Sequence, residues 1–124
     1  MTDILELSEG NWEKEISNST PLTVIECRHD NCPFCAKLEP IFNEVVKEYE
    51  GRMRFARLNV LANPFNKKMA FRLGVMSTPT IVFFCQGRTV EMVAGLMTKI
   101  QLEKKFDDVL QKYKQCLQQS TAVA

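Results

Sequence analysis

The chain has 124 residues, of which 45% are hydrophobic and 25% are charged, and its formal net charge is +1. A chain of this length fits one domain with its own core, and the balanced charge gives no sign of a nucleic acid or an anionic membrane surface as a partner. No apolar run is long enough to span a bilayer, and the first residues lack the basic and apolar regions of a secretion signal. We therefore expect a monomeric, cytoplasmic protein.

The spacing of apolar residues predicts strands that alternate with helices. Strands are predicted over residues 4–7, 22–27, 54–60, 80–85 and 88–93, and helices over residues 11–17, 36–49, 64–73 and from Thr98 onward. This order, β-α-β-α-β-α-β-β-α, is typical of an α/β fold with a central mixed sheet of about five strands and helices on both faces. We assign residues 1–117 to this domain and residues 118–124 to a flexible C-terminal tail.

The most informative motif is Cys32-Pro33-Phe34-Cys35, where the second strand gives way to a helix. Only a thiolate attacks a disulfide, and a helix N-terminus stabilises negative charge through its unpaired amide hydrogens and its dipole. Cys32 is therefore the predicted nucleophile, and Cys35, one turn deeper, is placed to resolve the mixed disulfide. This chemistry requires no metal and no organic cofactor.

A Cys-x-x-Cys motif alone is a weak signal, and further residues along the chain make it a strong one. Pro40 lies inside the helix that follows the cysteines, a Thr-Pro-Thr sequence covers residues 78–80, and glycines occupy positions 87 and 95. With these residues the chain resembles the thioredoxin family over roughly residues 4–115. The resemblance implies the thioredoxin fold and a thiol–disulfide oxidoreductase that reduces or exchanges protein disulfides.

The same resemblance implies a substrate site beside the cysteines. The family's proline at the position of Pro79 is cis and faces the redox pair. The backbone of Thr78 is then expected to hydrogen-bond an extended substrate segment, in the manner of an added strand. Gly95 and Phe34 are expected to line the same site.

Glu26 is an acid inside an apolar strand. Burial raises the pKa of a carboxyl group, which would give Glu26 a useful affinity for protons near neutrality. The family has a buried acid at this position, and the resemblance implies that it relays a proton to or from Cys35. The alternative is a strand residue that reaches solvent or pairs with a base such as Arg57. Arg57 occupies the place where the family often has lysine, so the ion pair is a candidate part of the site.

The residues around the cysteines depart from the family's pattern. Thioredoxins carry Trp-Cys-Gly-Pro-Cys, whereas Arg28 and Asn31 replace the flanking tryptophans here, and the Pro-Phe insert is similar to that of a glutaredoxin. Arg28 and His29, if they lie near Cys32, favour its thiolate and make the protein more oxidising than a housekeeping thioredoxin. The expected electron donor is a thioredoxin-reductase-type enzyme or glutathione. A glutathione-linked, glutaredoxin-like oxidoreductase is the alternative function.

Two less favoured alternatives are a redox-inactive chaperone or scaffold with this fold, and a zinc site in which His29 joins the two cysteines. The intact pair argues against the first, and the wide spacing of the other cysteines argues against the second. Cys27 and Cys85 each end a strand and are expected to be inert core residues. Cys116, near the end of the last helix, is expected to be exposed and open to mixed disulfides.

Overall fold

The structure is a computed structural model that describes residues 4–17 and 21–116. The predicted tail, residues 118–124, lies outside the described residues. In the described stretches, no helix is both long and apolar enough to cross a lipid bilayer. The elements follow the predicted order, and the first helical segment, Glu13–Ser17, is wound as a π-helix.

The described part of the chain forms one five-stranded sheet in the order β1-β3-β2-β4-β5. The strands are β1 Leu5–Glu6, β2 Thr23–Arg28, β3 Arg54–Asn59, β4 Thr80–Cys85 and β5 Arg88–Ala94. β1 and β2 run parallel to β3, whereas β4 runs antiparallel to β2 and β5 antiparallel to β4. β2 and β4 are buried almost throughout, which explains their nearly continuous apolar sequence. The predicted α/β fold with a mixed sheet is confirmed.

The α-helices within the described residues are α1 Pro33–Glu48, α2 Pro64–Leu73 and α3 Lys99–Lys112. Local sequence determines where each of them begins. Asn63 and Thr98 are the N-caps of α2 and α3, and the side chain of each accepts a backbone N–H from the first turn. α1 begins at Pro33, earlier than predicted, because proline suits the first helical position and the side chain of Cys32 caps the helix.

Two hydrophobic cores lie on the two faces of the sheet, and alternate residues of β4 belong to different cores. α1 and α3 pack on one face, where the ring of Phe106 contacts the rings of Phe42, Tyr49, Phe55 and Phe83. α2 and the π-helical segment pack on the other face. Helices therefore cover both faces of the sheet, as predicted.

Two cysteines outside the motif are joined in a second disulfide, Cys85–Cys116. The expectation that Cys116 is exposed is wrong, because only 8% of its surface is accessible. A further helical turn after Tyr113 carries Cys116 into the core that contains Phe106. Cys85 is buried as predicted, but it is bonded rather than free. The remaining cysteine, Cys27, is buried and free.

Candidate active site

The two cysteines of the motif lie at the N-terminus of α1 and are joined in a disulfide, with their Cα atoms 5.1 Å apart. Cys32 is the N-cap residue, and its Sγ accepts a hydrogen bond from the backbone N–H of Cys35 at 3.2 Å. Cys32 is partly exposed, whereas only 3% of the surface of Cys35 is accessible. The accessible sulfur is therefore the one that meets the amide hydrogens of the helix, which is the arrangement that stabilises a thiolate.

The loop before β4 lies against Cys32. The Thr78–Pro79 peptide bond is cis, as the resemblance implies. The hydroxyl of Thr78 donates a hydrogen bond to the Sγ of Cys32 at 3.5 Å. Gly95, with a φ of 100°, donates its N–H to the carbonyl oxygen of Pro79 at 2.8 Å, so the end of β5 holds this loop in place. The structure thus brings three predicted substrate-site residues, Thr78, Pro79 and Gly95, together beside the accessible sulfur.

A surface cleft of about 360 Å³ opens next to this loop, between the end of β3, α2 and the residues that precede the proline. Its lining includes Leu61, Phe71 and Met76, which are large exposed apolar side chains, together with Lys67. Phe34 is also exposed, at 56% of its surface, and the Nζ of a lysine lies 5.7 Å from its ring centroid. Apolar groups exposed together near the disulfide indicate a binding surface.

Glu26 is buried at the centre of the sheet, with 1% of its surface accessible. Arg57, its partner across β2 and β3, donates from Nε to the Oε1 of Glu26 at 2.7 Å. The other oxygen, Oε2, is buried without a hydrogen-bond partner among the described residues. Burial raises the pKa of Glu26, and the hydrogen bond and charge of Arg57 offset that effect only in part. Glu26 is therefore both an acid with a raised pKa and the partner of Arg57.

Asn43 is part of this cluster and was not predicted. Its Oδ1 accepts a hydrogen bond from a terminal nitrogen of Arg57 at 2.8 Å, so the guanidinium group is held from two sides. Asn43 lies eight residues after Cys35 on α1, and this spacing places both on one face of the helix. In the sequence, Asn43 is only a polar residue beside an apolar helical stripe. A solvent-exposed asparagine would show the same pattern, so the sequence does not indicate the contact with Arg57.

The two bases predicted to tune Cys32 are placed differently from each other. Arg28 donates to Asp30 at 2.8 Å and lies 4.0 Å from the carboxylate of Glu39, so acidic partners offset its charge. The Nδ1 of His29 accepts the N–H of the second residue after it at 3.2 Å, and His29 lines the cleft. Acidic side chains thus pair with Arg28, whereas His29 lies at the cleft beside Thr78.

The zinc alternative lacks a ligand set in the structure. Over residues 4–17 and 21–116, no group of three or more His, Cys, Asp or Glu side chains is placed to hold a metal ion. Cys32 and Cys35, two of the ligands considered, are bonded to each other.

Comparison with known proteins agrees with this geometry. The family model described as Thioredoxin matches residues 3–108. Thioredoxin 2 of Chlorobaculum tepidum is 31% identical over 103 residues, which cover 83% of this chain and 92% of that protein. A thioredoxin of Alicyclobacillus acidocaldarius is 30% identical over 85% of this chain and 96% of its own length. A thioredoxin of Buchnera aphidicola is 27% identical over 87% and 97%, respectively. The glutaredoxin-like alternative gains no support from these matches.

We predict that Glu26→Gln changes how stability depends on pH. The pKa of Glu26 is raised in the folded protein above its ordinary value of 4.5, so at lower pH the group is protonated in both states. As the pH rises through the folded pKa, the unfolded state ionises first and stability is lost. From pH 4.5 upward, until the pH has passed the folded pKa, the free energy of unfolding of the wild type should therefore fall relative to that of the variant, as measured by urea denaturation.

Glu91→Gln is the matched control. Lys105 and Lys112 form ion pairs with Glu91, and the hydrogen bond from Lys105 is the main cause of its lowered pKa. Its contribution has the opposite sign, because it is present at neutral pH and is lost as the pH falls through the folded pKa. Parallel curves for the wild type and Glu26→Gln over the whole range would contradict the raised pKa of Glu26.

Proposed function

The chain belongs to the thioredoxin family, and we propose that Cys32 and Cys35 perform its reaction, the reduction or exchange of protein disulfides. Family membership makes the chain a protein-disulfide oxidoreductase. The roles of individual residues are the proposal. It rests above all on the sulfur of Cys32, which lies at the start of α1 and accepts hydrogen bonds from the N–H of Cys35 and the hydroxyl of Thr78.

The reaction begins with the Cys32 thiolate of the reduced protein. It attacks one sulfur of the substrate disulfide, so that a mixed disulfide forms, the substrate's S–S bond breaks, and the released thiolate takes up a proton. The Cys35 thiolate then attacks the Sγ of Cys32 and releases the second substrate sulfur as a thiol. Two electrons have passed to the substrate, and the protein holds the Cys32–Cys35 disulfide that the structure contains. Because Cys35 is buried, only Cys32 is open to the first attack.

Glu26 is proposed as the base for the second step. The thiol of Cys35 must lose its proton before it attacks, and a carboxylate with a raised pKa accepts a proton more readily than an ordinary one. The unpartnered Oε2 of Glu26 leaves lone pairs for that proton, directly or through a water molecule. Arg57 and Asn43 are positioning residues in this scheme, because Arg57 donates to the other oxygen of the carboxylate and Asn43 accepts a hydrogen bond from Arg57.

The substrate segment is proposed to lie along the backbone of Thr78 in an extended conformation, as an added strand does. Pro79 and Gly95 shape this loop, and Phe34 supplies an apolar contact on the exposed side of the motif. The adjacent cleft would take an apolar side chain of the substrate, and Lys67 at its wall favours an acidic group nearby. This proposal gives the exposed apolar residues around the sulfur a role.

A thioredoxin-reductase-type enzyme is the proposed electron donor, because the relatives are thioredoxins. Glutathione is the second candidate, and the Pro33-Phe34 insert is the observation that favours it. A cytoplasmic location stays a prediction, and it fits a dithiol pair that must be kept reduced between turnovers.

We predict opposite phenotypes for serine at the two motif positions. Cys32→Ser should reduce insulin disulfides no faster than the uncatalysed reaction, because a serine hydroxyl is not ionised at neutral pH. Cys35→Ser should make the first attack but fail to release the product, and so accumulate a covalent complex with substrate on non-reducing gels. Cys27→Ser, which changes a buried free cysteine, is the control and should form no such complex. Full turnover by Cys32→Ser would refute the assignment of the nucleophile.

We predict that a thioredoxin reductase recycles the oxidised protein faster than glutathione does. Both donors would be tested with NADPH oxidation as the readout, using thioredoxin reductase in one arm and glutathione with glutathione reductase in the other. Each rate would be measured at equal concentrations of oxidised protein. A higher rate in the glutathione arm would contradict the proposed donor and favour the glutaredoxin-like alternative, while leaving the exchange chemistry intact.

We predict that Glu26→Gln lowers kcat for insulin reduction and leaves KM nearly unchanged. Positioned proton transfer is worth about 10²-fold or more where it limits the rate, so a fall of at least about 10-fold is expected at neutral pH. Because a missing base is partly replaced by hydroxide, the deficit should shrink as the pH rises. Glu91→Gln is the control, because the hydrogen bonds of Glu91 go to Lys105, Lys112 and Tyr113 and not to the active-site loop. An unchanged kcat in Glu26→Gln would exclude the relay.

A further inference from the structure

We propose that Cys85 and Cys116 form a second redox site, a buried disulfide clasp that ties the last helical turn to the central sheet. Cys85 is the final residue of β4, and Cys116 lies in the helical turn that follows α3. The structure bonds their sulfurs, with the two Cα atoms 6.2 Å apart. This separation lies inside the range of about 4.4–6.8 Å that disulfides span.

The clasp is separate from the active site. β4 starts at Thr80, next to the loop that touches Cys32, and ends at Cys85, so the two disulfides lie at opposite ends of one strand. Cys27 cannot compete for either partner, because it belongs to the core on the other face of the sheet from Cys85 and Cys116. Burial also raises the pKa of the Cys27 thiol to about 12, which leaves it unreactive.

The clasp should resist thiols that reduce the active-site pair. Only 3% of the surface of Cys85 and 8% of that of Cys116 is accessible, whereas Cys32 is partly exposed. A small thiol therefore reaches Cys32 without unfolding, but reaches the clasp only after the last helical turn opens.

Formation of the clasp requires a two-electron oxidant, for which a small-molecule disulfide such as oxidised glutathione is sufficient. When the last helical turn opens, the Cys116 thiolate attacks oxidised glutathione, forms a mixed disulfide and releases one glutathione thiolate. The Cys85 thiolate then attacks the sulfur of Cys116 and releases the second glutathione. Two electrons and two protons leave the protein and appear on two molecules of reduced glutathione.

Peptide mapping tests whether the bond forms. The full chain is equilibrated with oxidised glutathione, then treated with reduced glutathione until the active-site pair is open, and finally alkylated in denaturant. Trypsin separates the cysteines into residues 15–28, 29–37, 73–88 and 115–124. We expect peptide 73–88 to be linked to 115–124, while peptides 15–28 and 29–37 carry the label. Label on both Cys85 and Cys116 under these conditions would overturn the proposal.

Thermal unfolding distinguishes the stabilisation by the disulfide bond from the stabilisation by packing of the two cysteine side chains. Closing a loop between residues 31 positions apart should raise the melting temperature by about 10 °C in a domain of this size. We expect Cys116→Ala to melt about 10 °C further below the wild type in oxidised glutathione than in a strong phosphine reductant. Cys27→Ala removes a buried cysteine that forms no bond, so its deficit should be the same in both buffers. An equal deficit for Cys116→Ala in the two buffers would refute the clasp.

The clasp and the proposed function fail separately. Cys116 contacts no residue of the active site. The Cys116→Ala variant should therefore reduce insulin as fast as the wild type at temperatures well below the melting temperature of the variant. If the wild type lacked disulfide-reducing activity, the roles of Cys32 and Cys35 would be wrong, and the linked peptide would still decide the clasp. A linked peptide together with a Cys116→Ala variant that loses activity in the cold would contradict the claim that the two sites are independent.

Discussion

The register between β2 and β4 determines the active site. The two strands run antiparallel with Cys27 opposite Thr80, so the end of β2 meets the start of β4. The chain leaves β2 toward Cys32 at the same edge of the sheet where it enters β4 through Thr78. A slip of one residue would turn every side chain of β4 to the other face and break both cores. The contact between the Thr78 hydroxyl and the Cys32 sulfur, across 46 residues, is thus fixed by core packing rather than by local sequence.

β2 carries a buried acid, Glu26, that packing of the core alone does not favour. A buried ion pair is often no more stable than apolar residues of the same volume, and Glu26 has a further disadvantage, because one of its oxygens has no hydrogen-bond partner among the described residues. Arg57 holds the other oxygen and is itself held by Asn43, and burial still raises the pKa of the acid. Stability therefore gives a weak reason for this residue, whereas the proton transfer that we propose gives a functional one.

The range of an interaction along the chain decided whether the sequence could predict it. β4 was predicted with its observed bounds, Thr80–Cys85, because a proline precedes it and a tight turn follows. The cysteine motif and the caps of α2 and α3 are also local signals. The contact of Asn43 with Arg57 and the cleft beside Thr78 depend on how α1 and α2 pack on the sheet, which no local pattern states. Cys116 was misplaced for a related reason, since its burial requires a helical turn beyond the predicted apolar stripe.

β4 links the two kinds of sulfur chemistry in this molecule. At its first residue the strand positions the loop against an accessible sulfur at a helix N-terminus, and at its last residue it presents a buried sulfur to the turn that follows α3. Exchange needs access and a stabilised thiolate, and only the Cys32 end offers both. A disulfide that stabilises the fold needs the reverse, namely exclusion of attacking thiols. Since exposure differs between the ends of one strand, the same residue type can be reactive at one end and protected at the other.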